Sequence, residues 1–411
     1  MSKGEYIQRN LLELILSGFF LVLILFSKLA AIYIALMALL IVWGYVKKQI
    51  QFSLNRFSLL FVGLYLCYLV GTFWTQDWSE ASRYLENKLS FVLLPILFSF
   101  RKKNGFNISL IYGGLIFAVL VAFLYGISIG IPCYLKHLSF PYCFLKSHLS
   151  PFMHPTYMSV FVMISLAATV SLMKHEKLSR TKGWILIIVL SIYNVLLLSL
   201  AGLLFFGILV FWFFLVWLRS RVSKLRVIQL IFSVLAITIF VSLKLPFIKE
   251  EISAVVESTK EYTQDPVRYV QGLPESTSST QTRLVMWSVT VEEIKKHPLG
   301  IGTGNLDIVL GNNLRNKGND AFAAKKYNPH NQFLHTFLEV GPIAFILLVL
   351  ISLGGMFKGY KEDYFMLIIL SASLFFNCLF ESMLQLQAGI IFYPFFFMLL
   401  GIAQRSNNKL I

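Results

Sequence analysis

Twelve apolar runs, most of them near the roughly 17 to 25 residues that an α-helix needs to cross a bilayer core, set the first limit on this chain. They lie at about 11–27, 29–46, 57–73, 89–100, 108–131, 156–173, 184–200, 201–218, 227–245, 333–353, 364–380 and 388–403. A hydrophobic fraction of 57% and a mean hydropathy of +0.72 far exceed the apolar content of a soluble domain. The expectation is an all-α polytopic integral membrane protein with about 12 transmembrane helices. The fourth run is short and is completed by its amphipathic lead-in, WSEASRYLENK. The seventh and eighth meet at SLAG (199–202), so either the turn there is tight or the boundary lies several residues away. The first run is followed almost at once by a second and not by a small-residue cleavage site, so it reads as one arm of a helical hairpin and not as a signal peptide.

The net charge of +16 does not indicate nucleic acid, because topology places the basic residues. With the N-terminus cytoplasmic, segments 1–10, 47–56, 101–107, 174–183, 219–226, 354–363 and 404–411 are cytoplasmic and hold 20 of the 36 Lys and Arg. The short loops of the other side hold five: Lys28, Arg83, Lys88, Lys136 and Lys146. This asymmetry is the positive-inside rule, and it predicts both termini on the cytoplasmic side. Of four cysteines, Cys67 and Cys378 fall within apolar runs and read as packing residues. Cys133 and Cys143 share an outer loop, where an oxidising compartment allows a disulfide.

Three regions follow: 1–245 with transmembrane helices 1–9, a large outer loop at 246–332, and 333–411 with helices 10–12. Loops of this length concentrate function. FIKEEISAVVESTKEY predicts a surface helix, and DPVRYVQGLPESTSST reads as a turn or mobile stretch. STQTRLVMWSVTVEEIKKHP predicts a second helix, with Thr280 as its cap, Glu292 and Lys296 paired four apart, and Pro298 ending it. Arg283 then falls in the first turn, where the helix dipole disfavours a cation and something must compensate it. A helix N-terminus with an Arg suits a diphosphate; the simpler reading pairs Arg283 with an acidic residue of the loop. HPLGIGTGN (297–305) lacks the spacing of a phosphate-binding loop and reads as a glycine-rich turn. Arg315, Lys317, Lys325 and Lys326 follow it toward the membrane.

At YNPHNQFLHTFLEVG (327–341) polar residues stand at a membrane boundary, where they are expensive once water is gone. Asn328 as cap and Pro329 at the first helical position put His330 in the first turn of the tenth span. Asn331, His335 and Glu339 recur four apart as a polar stripe, and His330 points away from it. His154, before Pro155, and Glu381 stand at other outer boundaries.

The Arg and Trp of TRLVMWSVTVEEIKKHPLGIGTGN, then HNQFLHTFLEVGPIAF, then HPTY, resemble in that combination the O-antigen ligase family of envelope glycosyltransferases. The likeness covers the loop and the tenth span; elsewhere it is one of helix number and loop placement. It implies a GT-C-like inner-membrane enzyme with a partly helical periplasmic loop. Such an enzyme moves a glycan from an undecaprenyl diphosphate carrier to an acceptor hydroxyl, here the lipid A-core glycolipid, without cofactor or metal. His330 and Arg283 match the family's functional histidine and loop arginine, with His330 suited to act as base and Arg283 to stabilise phosphate charge. Asn331, Lys325, Lys326, Arg315, His154 and Glu339 are the expected substrate-binding residues. Where the family usually carries an Arg after a Ser near the outer end of a middle span, this chain has Leu200, leaving Arg83, Lys88 or another loop cation to substitute. An O-antigen or capsule polymerase fits the same pattern. A transporter or flippase fits less well, since the halves differ in loop size, no internal repeat is visible, and the unusual polar groups gather at the outer face.

Overall fold

The computed structural model of the protein describes residues 3–46, 50–52, 55–102, 106–219, 246–273 and 279–406. The ninth apolar run, 227–245, and the basic segment from 220 lie outside these residues. Among the described residues the regular structure is helical except for one antiparallel pairing of β1 (Ile50–Phe52) with β2 (Phe100–Lys102), in which Gln51 faces Arg101. The helices before the loop are α1 (Lys3–Leu25), α2 (Ala30–Val46), α3 (Arg56–Gly71), α4 (Trp78–Lys88), α5 (Ser90–Phe98), α6 (Ile108–His137), α7 (Phe140–Phe144), α8 (Pro155–Lys174), α9 (Arg180–Leu196) and α10 (Leu200–Arg219). The loop contributes α11 (Pro246–Gln264), α12 (Pro266–Gln271), α13 (Ser279–Lys296), α14 (Leu306–Asn316) and α15 (Asp320–Ala324), and the chain ends with α16 (Gln332–Lys361), α17 (Phe365–Phe380) and α18 (Gln387–Ser406).

Among the described residues, five helical segments are long and apolar enough to cross a membrane: 27–46, 56–74, 108–137, 155–174 and 332–361. Shorter apolar helices cover 11–25, 200–214, 365–380 and 387–401. The expected completion of the short fourth run holds, since α4 and α5 are separated by Leu89 alone. At SLAG it is the boundary that moves: α9 ends at Leu196 and α10 starts at Leu200, so the turn is 197–199, with Leu198 at a left-handed φ of 45°.

A helix that is apolar on every side belongs in the interior of a bundle. Residues 155–169 of α8 and 388–401 of α18 are all buried. On α18, Phe392, Phe395, Phe396 and Phe397 meet Phe161, Phe19, Phe20 and Phe57 at ring separations of 4.2 to 5.3 Å, tying α8, α1 and α3 around one aromatic column. At one end of α6, Cys133 is joined to Cys143 of α7 by a disulfide with a Cα separation of 5.7 Å, while Cys67 and Cys378 are free.

The loop has a smaller core of its own, built on Tyr262, Val270, Val285, Met286, Val289 and Leu310, and it reaches Leu338 of α16. Two sequence expectations change here. DPVRYVQ is not a turn but α12: Asp265 accepts the Arg268 N–H at 3.0 Å and Pro266 opens the helix with no N–H to satisfy. Glu292 does not pair with Lys296; its carboxylate takes the buried Lys317 ammonium and the Tyr262 hydroxyl (2.8 Å), leaving Lys296 to Glu293 at 2.6 Å. A buried ammonium needs a carboxylate more than an exposed one does.

The glycine-rich turn 299–305 joins loop to membrane body. Proline 342 has no N–H, so the carbonyl of Leu338 loses its helical partner, and α16 breaks at Gly341, whose φ of 85° and ψ of −175° are open to glycine alone. The turn fills the break: Ile301 N–H donates to the Leu338 carbonyl (2.8 Å) and Gly302 N–H to the Glu339 carbonyl (3.0 Å). A β-carbon on Gly341 would stand 2.4 Å from the Leu299 carbonyl oxygen. On the other flank Thr303 donates its N–H to Gly71 and its hydroxyl to the Tyr68 carbonyl (2.7 Å), while Asn305 accepts the Gln76 N–H at 2.7 Å. The fully buried Glu339 carboxylate accepts the Gly304 N–H at 3.1 Å. It lies 3.2 Å from the buried His335 ring, an ion-pair distance without hydrogen-bond alignment. Glu339→Ala should therefore destabilise the fold by about 3 kcal/mol or more, whereas Glu339→Gln, which keeps an acceptor for Gly304, should lose much less. Thermal unfolding in detergent tests this; equal melting temperatures for wild type and Glu339→Ala would show that the carboxylate does not hold the turn.

Candidate functional site

The turn after α17 and the turn before α16 pack face to face. Asn328 does not cap α16. Its side chain accepts the His330 N–H at 2.8 Å and the Ser382 hydroxyl at 3.0 Å, a local bond that competes with capping. The cap is Asn331, which accepts the Leu334 N–H at 3.0 Å and donates to the Leu379 carbonyl at 3.2 Å. His330 therefore precedes the helix, in a left-handed conformation with φ 47°. Buried Gln332 closes the arrangement by accepting the Leu384 N–H at 2.6 Å. From α8, the Tyr157 hydroxyl donates to the Ser382 carbonyl at 3.1 Å.

His330 Nδ1 lies 3.1 Å and 3.3 Å from the two oxygens of Glu381. The carboxylate is nearly buried, with 10% of its side chain exposed against 25% for the imidazole. Burial alone would raise the Glu381 carboxyl. The hydrogen bond and charge of His330, the Ser382 N–H (3.0 Å) and the charge of His154 outweigh it and hold the group below its ordinary value. His154 caps α8 through its Nδ1 and Pro155 opens that helix as expected. Burial lowers the His154 imidazole, Glu381 raises it, and the charges of His330 and Arg283 lower it further, so all four groups lie within one electrostatic neighbourhood.

A carboxyl depressed on folding contributes stability above its ordinary pKa of 4.5 and loses it as pH falls through the lowered value. The wild-type melting temperature should therefore drop more between pH 7 and pH 3 than that of Glu381→Gln. Parallel curves would show that this carboxylate is not stabilised on folding.

Arg283 reaches the same place. The described part of α13 begins at Ser279, so Thr280 lies inside the helix and is not its cap. The compensation that a cation near this end requires comes from another helix: Arg283 Nε donates to the Phe380 carbonyl at 3.3 Å, at the C-terminus of α17. A helix C-terminus carries partial negative charge and exposed carbonyl acceptors, which suits a guanidinium.

The structure thus brings together Arg283, His330, Asn331 and His154 from the sequence-derived set and adds Glu381 and Ser382. Glu381 ends an apolar run, a signal the sequence offers, but its partner is 51 residues away. The other expected residues stand apart. Arg315 bonds Asn312 (3.0 Å), Lys326 lies 3.8 Å from Asp307, and both are exposed, as is Lys325. Glu339 faces inward to the glycine-rich turn. The turn's N–H groups from Gly300 to Asn305 are all bonded within the protein and so are not offered to a phosphate. Leu200, at the position of the missing Arg, follows Ser199, whose hydroxyl bonds that of Thr156 (3.2 Å) two residues from His154. Of the proposed substitutes, Arg83 is exposed and paired with Glu80. Lys88 is buried over the rings of Tyr68 and Tyr84 (4.6 Å each) and donates to Gln385 at 2.9 Å, in the turn that follows Glu381.

A carboxylate on the Nδ1 side of an imidazole, a guanidinium held by a helix terminus and a second histidine, gathered at the end of an apolar bundle, are groups of the kind that acid–base chemistry on an anionic substrate uses. The family described as O-antigen ligase matches residues 185–349, which contain Arg283 and His330. This supports the resemblance seen in the sequence and, in general terms, a membrane function of the O-antigen ligase and polymerase type. No curated protein matches the chain.

Proposed function

We propose that the protein is a membrane glycosyltransferase that moves a glycan from an undecaprenyl diphosphate carrier to an acceptor hydroxyl, with ligation of O-antigen to lipid A-core as the reaction. The observation that carries this reading is the His330–Glu381 pair beside Arg283 (3.1 Å and 3.3 Å in their respective bonds). With Nδ1–H donated to Glu381, the neutral imidazole keeps the lone pair of Nε2 for the proton of an attacking sugar hydroxyl, and the carboxylate stabilises the imidazolium that forms. Breaking the bond from sugar C1 to the diphosphate leaves charge on the leaving phosphate, which Arg283 stabilises as it develops. Asn331 and His154 border the same space and orient the donor, and Arg315, Lys325 and Lys326 act as an outer basic fringe.

The test uses purified protein, an undecaprenyl diphosphate-linked glycan and lipid A-core, with transfer measured directly. Removal of the gene should leave polymer on its carrier and none on lipid A-core. Attachment of a single repeat in its place would mark the protein as a polymerase, and unchanged glycans with altered solute uptake would mark it as a transporter.

The same reading places 246–332 in the periplasm and both termini in the cytoplasm of an inner-membrane protein, supported by the 20-to-five division of basic residues. An alkaline phosphatase fusion at Gly311 should be active and one at Ile411 inactive; the reverse would overturn the orientation.

A further inference from the structure

Away from the site described above, α8, α9, α10 and α17 border a half-open, largely apolar cavity of about 930 Å³. Ala167, Ile187, Phe206 and Ile369 are among its walls, and Lys174, Arg180 and Trp184 stand at its mouth with Glu176. The turn that carries this mouth holds Lys174, Lys177, Arg180 and Lys182 against the single acid Glu176. Trp184 is 59% exposed, as an aromatic side chain at a membrane–water boundary is. The mouth is far from the His330 neighbourhood. Helix α8 runs from Pro155, beside His154, to Lys174, and at 1.5 Å per residue that is about 28 Å, close to the thickness of a hydrocarbon core.

The walls offer hydrocarbon and almost no hydrogen bonding, which suits neither a glycan nor a nucleotide. The mouth offers cations at headgroup depth. Basic pockets between transmembrane helices bind anionic lipid headgroups, and apolar clefts take their chains. We propose that this cavity is a binding site for an anionic diacyl phospholipid of the leaflet opposite the His330 site. Its phosphate sits at Lys174 and Arg180, and one acyl chain lies along Ala167 and Phe206 into the cavity. The lipid would fix α9 and α10 against α8, whose other end carries His154.

The experiment is native mass spectrometry of the purified full-length protein in detergent, titrated with phosphatidylglycerol or with phosphatidylcholine of the same chains. The wild type should hold phosphatidylglycerol at least tenfold more tightly. Removing both cations in Lys174→Gln with Arg180→Gln should weaken phosphatidylglycerol about 25-fold, at about fivefold per cation, and leave phosphatidylcholine unchanged. Ala167→Phe, which fills the cavity and leaves the mouth intact, should weaken both lipids. Thermal unfolding confirms that each variant folds, and the wild-type comparison stands without them. Three results would overturn the proposal: equal wild-type affinity for the two lipids, a cation-free variant within twofold of wild type, or a wild type that binds neither lipid.

Discussion

His330→Ala is expected to lower glycan transfer by about 100-fold or more while the protein still inserts and folds. The imidazole is partly exposed in a turn before α16, and it contributes little to the apolar packing of the bundle. Its backbone φ of 47° makes the choice of variant matter, because a left-handed residue tolerates Asn better than most side chains. His330→Asn therefore serves as the matched control: it accepts the backbone, offers no base, and should be as inactive as the alanine variant. Glu381→Ala should also lower the rate, through a misoriented imidazole, and the loss should not add to that of His330→Ala because the two act as a unit. Transfer from a purified carrier-linked donor, with melting temperature measured alongside, decides the matter. Activity within about threefold of wild type in both His330 variants would make the residue structural.

Arg283→Ala should cost about 100-fold in the same assay, and Arg283→Lys should recover only part of it. The guanidinium donates through Nε to the Phe380 carbonyl at 3.3 Å, which fixes one edge of its planar fork. An ammonium is a point charge without that fork, so it cannot hold the helix terminus and meet a diphosphate in the same geometry. If Arg283→Lys and Arg283→Ala lose equal activity, geometry dominates over charge; if neither loses more than threefold, Arg283 is an anchor for α13 and takes no part in transfer. The two outcomes separate cleanly because the anchoring role would appear in the melting temperature.

The bundle was legible in the sequence because hydrocarbon leaves an α-helix few alternatives, so long apolar runs report helices directly. His154 and His330 were legible for a related reason: a polar residue beside a proline at the end of such a run has few uncostly places to go. Arg283 was legible as a cation in need of compensation, and the compensating group is the Phe380 carbonyl, 97 residues away. That distance marks what sequence reading could not reach. The Glu381 partnership, the Lys317 partner of Glu292 and the docking of Thr303 on Tyr68 each join residues from 25 to 235 positions apart. The errors at Thr280, Asn328 and DPVRYVQ were local. Asn328 gave up its capping role to bonds with His330 and Ser382, the described helix at Thr280 starts one residue earlier, and DPVRYVQ is a helix because Asp265 caps it and Pro266 opens it.

The docking of the glycine-rich turn also bears on how such proteins can be recombined. The loop is fastened by Arg283 on the end of α17, by residues 328–332 on the turn that follows it, and by residues 301–305 on Gly71, Gln76 and the break in α16. A chimera that exchanged 246–332 alone would carry one side of each of these bonds and leave the other behind. The smallest transplantable unit is therefore discontinuous: the loop, the 68–76 stretch at the end of α3, 338–342 and 379–384 have to travel together.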